Sequence, residues 1–205
     1  MSEKHHLRQF LVLVFALMVP TFALWTAIGD SLTVPAIGFG NMLLGAWMPE
    51  IIDALGVQGS TTVLLTHYGE LNGDIVPASQ ATEVIGFNVN AGILSYSIPF
   101  YTALYFATAG NNKLGQYCTG LFTLYVVLVF GLVCMCLKNL MVQLGTTFLE
   151  HPSAAVPPAD VIAVMYQLNV LIAPTLVPVI IWAWQSREAP LLQDLIGYLT
   201  PVGKT

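Results

Sequence analysis

Ser31-Leu-Thr-Val-Pro35-Ala-Ile-Gly-Phe-Gly40-Asn-Met-Leu-Leu-Gly45-Ala-Trp-Met-Pro49 is a run without a single charge, and whether it crosses a membrane decides the fold. Its prolines, glycines and Asn41 make it a poor continuous helix by propensity. The residues around it settle what kind of protein surrounds it. Basic side chains occur only at Lys4, Arg8, Lys113, Lys138, Arg187 and Lys204. Between them lie the charge-free runs Phe10–Gly29, Val84–Asn112, Leu114–Leu137 and Val161–Ser186. Charged residues make up 8% of the chain and the mean hydropathy is +0.75. A soluble domain carries roughly a quarter of its residues as charges, so lipid must replace water around much of this chain.

A bilayer core needs about 20 apolar residues of helix, because lipid leaves backbone N–H and C=O groups unsatisfied in any open structure. Four segments meet that length: about 9–28, with Pro20 inside it; 91–109, rich in Tyr and Phe; 114–137; and 161–184, with Pro174 and Pro178. The charges arbitrate the fifth candidate. With four spans, Lys4, Arg8, Lys113, Arg187 and Lys204 share one side and Lys138 stands alone on the other. If Ser31 to Pro49 also crosses, the split becomes three against three. The positive-inside rule favours four spans with both termini cytoplasmic. The reading is an all-α polytopic membrane protein, with a single integral membrane domain over 1–205. An exterior α+β insertion covers 30–90, an exterior loop 139–160 and a cytoplasmic tail 187–205. A basic start followed by an apolar core also fits a signal peptide, but the apolar stretch continues through Trp25 and Ile28, which favours an uncleaved anchor.

Within the insertion, Leu44, Trp47, Met48, Ile51, Ile52 and Leu55 recur at helical spacing, which predicts an interfacial helix broken at Pro49 and capped by Gly56. Ser60 to Tyr68 and Glu83 to Val89 have the β-branched or alternating pattern of strands, and Asn72, Gly73, Asp74 and Pro77 between them are turn formers. A β-hairpin is expected. His151, Pro152, Pro157 and Pro158 make the second exterior segment an extended connection. Leu191, Leu192, Leu195, Ile196 and Leu199 suggest a short amphipathic helix on the inner leaflet.

The chemistry is sparse. The four spans contain no Asp, Glu, Lys, Arg or His, which argues against a proton relay or an ion-coupled transporter. No basic face for nucleic acid is present. Cys118, Cys134 and Cys136 lie in one apolar run and fit no disulfide framework. No cofactor or metal set is read: His5 and His6 sit in a basic N-terminus, and His67 has only Glu70 nearby. The most chemical arrangement is a thiol nucleophile at Cys134 or Cys136 near the outer end of the third span, with His151 and Glu150 in the following loop. Polar groups inside spans are mild. Gln167 and Asn169 can bond across helices, and Pro174 and Pro178 free backbone carbonyls. Together with Trp47, His67, Tyr96 and Tyr101, these are the candidate partner or ligand contacts.

Three stretches carry a resemblance. They are Asn88-Val-Asn-Ala-Gly-Ile-Leu-Ser-Tyr-Ser-Ile-Pro-Phe-Tyr-Thr-Ala-Leu followed by Ala107 and Thr108; Tyr166-Gln-Leu-Asn-Val-Leu-Ile-Ala-Pro-Thr-Leu-Val-Pro-Val with Trp182; and Arg8-Gln-Phe with Phe22-Ala-Leu-Trp25. Together they resemble the small exosortase H-associated membrane proteins of Gram-negative bacteria. The resemblance implies an inner-membrane accessory protein, more a partner than an enzyme. It would work beside an exosortase that processes proteins with a C-terminal sorting signal. It implies membrane lipid, the exosortase and a sorted substrate tail as partners, and no catalytic residues. A small transporter or lipid-binding subunit, or a Cys/His hydrolase or transpeptidase, is the alternative.

Overall fold

The computed structural model describes residues 2–59, 61–108, 114–152, 155–187, 189 and 193, without the side chains of 2–6 and 30. Lys113, Lys204, the side chains of Lys4, His5 and His6, and the expected tail helix over Leu191–Leu199 lie outside them. The chain divides into two units. One holds Met1–Ile28, Tyr96–Leu124 and Pro174–Thr205; the other holds Gly29–Ser95 and Tyr125–Ala173.

Helix α1 runs from Ser2 to Trp47 without the expected break. Propensity favours a break, but tertiary burial overrides it. In the second unit Thr33, Ala36, Ile37, Leu44 and Met48 form one buried face at helical spacing. The helix stops where Pro49 disfavours helical geometry at the residue before it. Met48 N–H still bonds Leu44 O at 2.8 Å, and Ile52 N–H then closes a turn on Met48 O at 3.0 Å. Leu7–Gly29 is the part of α1 long and apolar enough to cross a bilayer.

The expected hairpin is a four-stranded antiparallel sheet: β1 Ile52–Gln58, β2 Thr61–Leu71, β3 Asp74–Pro77 and β4 Glu83–Val89. β2 is central. One edge pairs with β1 and then β3, and the other pairs with β4. The predicted strands over 60–68 and 83–89 are β2 and β4, and they do pair. β1 corrects the helical reading of Ile51 to Leu55. Ile51, Ile52 and Leu55 are buried as expected, but on a strand, and Gly56 pairs with Val63 instead of capping a helix. Burial pattern alone does not separate helix from strand in so short an apolar run. Asn41 decides it: its side-chain oxygen accepts the Leu55 N–H at 2.7 Å, occupying a donor on the outer edge of β1. Asn72 and Gly73, with φ of 54° and 92°, make the two-residue turn between the paired Leu71 and Asp74.

The segment expected as the second span forms α2 Gly92–Ser95 and α3 Ser97–Ala107. Pro99 is the physical cause of the interruption. In an unbroken helix its ring would strike the carbonyl four residues back, that of Ser95, whereas in a first turn it is tolerated. Helix α4 covers Leu114–Leu144, beyond the expected end, and α5 covers Thr146–Leu149, so the start of the expected exterior loop is helical. The break between them is Gly145, whose φ of 54° suits glycine. α6 Ala159–Gln167, a π-helical turn Leu168–Ile172 and α7 Ala173–Gln185 form one helical run. The π turn, closed by Ala173 N–H on Leu168 O, sits immediately before Pro174. The wider turn accommodates the backbone bond lost there.

Three described helices are long and apolar enough to cross a membrane: Leu7–Gly29, Leu114–Leu144 and Ala159–Gln185. α3, at 11 residues, measures about 16 Å, roughly half a bilayer core. In the first unit Val14, Tyr101, Leu104, Tyr105, Leu124 and Trp182 form a core, with Phe10 stacked on Trp182 at 5.3 Å. In the second unit every residue of α4 from Gly131 to Leu137 is buried. A helix covered on all sides is a central element, and α4 holds that place in this unit.

Candidate functional site

The second unit holds a groove of about 550 Å³. Three chain segments build it. α1 supplies Ser31, Thr33 and Val34; the β1–β2 end supplies Val57, Gly59, Thr61 and Thr62; the end of β4 and its link to α2 supply Asn88 to Gly92. The sheet explains the meeting. β1 pairs with β2 out to Gln58 and Thr61, and Thr62 pairs with Val89. Those pairings bring residues 57–62 against 88–89. The lining is hydroxyls and amides set among valines and alanine, with no charged and no aromatic side chain among its described residues. Asn139 of α4 donates to the Asn88 carbonyl at 3.4 Å, and Lys138 Nζ reaches the Asn139 side-chain oxygen at 3.5 Å while standing 5.4 Å above the Tyr166 ring.

None of the eight candidates read from the sequence lines this groove. Four fall in the second unit. Trp47 is half-buried at the end of α1, and His67 is exposed on β2. Gln167 is exposed, while Asn169 is buried, donates to Met165 O at 2.8 Å and lies 3.7 Å from Cys134 Sγ. Asn169 therefore does join two helices, as an amide inside a span is expected to. The other four belong to the first unit. Tyr96 is half-buried at the α2–α3 junction, and Pro174 and Pro178 are buried in α7. Tyr101 is fully buried, stacks on Tyr117 at 5.7 Å and donates to Gln185 Oε1 at 2.6 Å. Gln185 in turn donates to Gln116 O at 2.8 Å, and Trp182 donates to Thr108 Oγ1 at 2.7 Å.

Cys134 and Cys136 are buried in α4, Cys134 beside Asn169, and Cys118 is exposed. The His151 ring meets the Tyr68 ring edge-on at 6.5 Å. Burial, and after it the Glu50 carboxylate, push the Tyr68 phenol up from its ordinary value. No group of three or more metal-ligating side chains occurs among the described residues.

The sequence reading missed the groove because its walls come from positions 31–34, 57–62 and 88–92, separated by whole strands. The available signal was Asn88-Val-Asn90 at the end of a predicted strand: two amides flanking an inward valine.

A sequence model of exosortase H-associated membrane proteins matches residues 4–189. The chain belongs to this family. The match includes the groove, the sheet and all three apolar helices, and the family name together with those helices marks a membrane protein associated with the exosortase system. No curated protein and no solved structure matches the chain. The resemblance read from residues 8–25, 88–108 and 166–182 is thereby borne out for the exosortase H-associated family.

Proposed function

We propose that the chain is a non-catalytic, multi-pass partner subunit of an exosortase-type sorting system in the bacterial inner membrane. Its sheet-bearing segment 30–90 docks on the exosortase or on a sorted substrate's tail. One observation carries the reading. Between the spans 9–28, 91–109, 114–137 and 161–184, which hold no Asp, Glu, Lys, Arg or His, the chain inserts an antiparallel sheet with a polar groove. Such spans suit anchoring more than ion or proton movement, and loops on a rigid scaffold are where recognition is usually built.

The reading includes four passes with both termini cytoplasmic. Three passes, with α3 not crossing, would place Lys4, Arg8 and Lys138 against Lys113, Arg187 and Lys204. Four restore five against one, as the positive-inside rule favours. α2 and α3 together run from Gly92 to Ala107, about 24 Å if helical throughout. Most of α3 is buried, and a broken backbone is tolerated at membrane depth when protein covers it.

Two measurements test this. Tagged protein from native membranes should co-purify with an exosortase or a sorting substrate; recovery alone sinks the partner role. Single cysteines introduced at Ser79 and Gln193 should label from opposite sides of the membrane. Labelling from one side refutes four passes.

A further inference from the structure

We infer that the groove of the second unit binds an uncharged stretch of extended polypeptide from a partner. This deepens the proposed function and rests on it only in requiring a partner that supplies the segment.

The lining selects the ligand class. Ser31, Thr33, Thr61 and Thr62 offer hydroxyls, and Asn88 and Asn90 offer amides; each side chain both donates and accepts. Among the described residues, the exposed Asn88 and Asn90 amides have no hydrogen-bond partner of their own. None of the described lining residues offers a charge, so a charged ligand would surrender its hydration to them without an opposite charge, a heavy cost. A sugar needs a flat apolar surface for its ring face, usually aromatic, and no aromatic residue is among the described residues lining the groove. An extended chain fits both properties. Its backbone repeats one donor and one acceptor per residue, and its side chains alternate, so every second one meets an apolar patch such as Val34, Val57 or Val89. Two walls are strand ends fixed by the Gln58–Thr61 and Thr62–Val89 pairings, so little ordering is left to be done on binding. The volume of about 550 Å³ lies within the usual range for ligand sites. The α1 wall starts at Ser31, just past Gly29, where the apolar stretch Leu7–Gly29 ends. The segment that suits this position is one flanking a membrane span.

The test uses the full chain in lipid nanodiscs, with no exosortase present. The probe is a capped, uncharged pentapeptide, acetyl-Ala-Ser-Val-Asn-Ala-amide, titrated by calorimetry. Controls are the same peptide with its valine replaced by lysine or by aspartate, and maltose. Saturable binding of the uncharged peptide is expected, at least about tenfold weaker for either charged peptide. Asn90→Ala and Thr61→Ala, on different walls, should each weaken it about threefold to tenfold, with far-ultraviolet circular dichroism verifying that both fold. No saturable binding of the uncharged peptide overturns the proposal. Equal binding of a charged peptide, binding of maltose in its place, or insensitivity to both folded variants does so as well. Because exosortase is absent, this result is independent of the co-purification that tests the partner role.

Discussion

Replacing Gly120 by alanine should destabilise the first unit, and the same change should become harmless once Tyr101 is shortened. Gly120 lies on α4 where a Cβ would fall on the Tyr101 phenol, overlapping its hydroxyl and ring carbons. The ring has nowhere to go. It is fully buried, stacked on Tyr117 at 5.7 Å, tilted against Tyr105 at 5.8 Å and hydrogen-bonded to Gln185 at 2.6 Å. Forcing one methyl into such packing costs about 1–3 kcal/mol. Breaking the phenol–Gln185 bond adds about 0.5–1.5 kcal/mol, and the helix-propensity gain of alanine over glycine returns about 1 kcal/mol. The net loss for Gly120→Ala is about 0.5–3.5 kcal/mol. In a Tyr101→Leu background the obstructing ring is absent, so only the propensity gain remains. Gly120→Ala should then be neutral or stabilising by up to about 1 kcal/mol, a change of sign that a double-mutant cycle reads directly. Reversible unfolding in mixed micelles, followed by tryptophan fluorescence, supplies the four stabilities. Equal effects of Gly120→Ala in both backgrounds would show that the phenol and the helix do not compete for this space.

Asn41→Ala strips the Leu55 N–H of its acceptor in a buried position. A loss of about 1–3 kcal/mol is expected, with faster hydrogen exchange at the Leu55 amide, while Asn41→Asp keeps the acceptor and should stay slow. The Tyr68 phenol should titrate above its ordinary 10.0, by burial first and Glu50 second. Its neutral form is the one the fold favours, so its stability contribution is complete below pH about 10 and is lost as pH rises through the folded value. The absorbance difference at 295 nm between wild type and Tyr68→Phe checks this, and Glu50→Gln should move the titration part of the way back. Gly69→Ala should prevent normal sheet formation, because a Cβ there would overlap Ala81 and the Glu83 carbonyl between β2 and β4. Loss of the β signal in circular dichroism is the readout, and a native spectrum would refute it. Replacing Cys118, Cys134 and Cys136 together by alanine should leave sorting intact, and a lost activity would revive the thiol mechanism.

Much of the membrane character was written locally. Charge-free runs of about 20 residues mean helix in lipid wherever they occur, since every backbone group must be satisfied within the segment. The runs at 9–28, 114–137 and 161–184 accordingly lie within the three long apolar helices. The β2 and β4 pattern was legible for the same reason: β-branched residues and alternation act over a few neighbours. The Asn72-Gly73 turn is likewise a property of two residues. Pro99 was visible too, but its effect depends on the carbonyl four positions back, and it was read as part of one long span.

What only tertiary structure decided is where a local preference was overruled or left open. Ser31 to Trp47 reads as a poor helix, yet burial of its Ala36–Leu44 face keeps α1 unbroken. Ile52 and Leu55 read as helix, yet the vacant edge of β2 and the Asn41 acceptor make them strand. The groove is the extreme case. Ser31, Thr61 and Asn90 are ordinary polar residues in sequence, and only strand pairing between distant segments assembles them into one surface. Sequence by itself determined that this chain lives in a membrane, because hydrophobicity is a sum over neighbours. Tertiary structure decided what the chain can hold, because a binding surface depends on contacts between residues that are far apart along the chain.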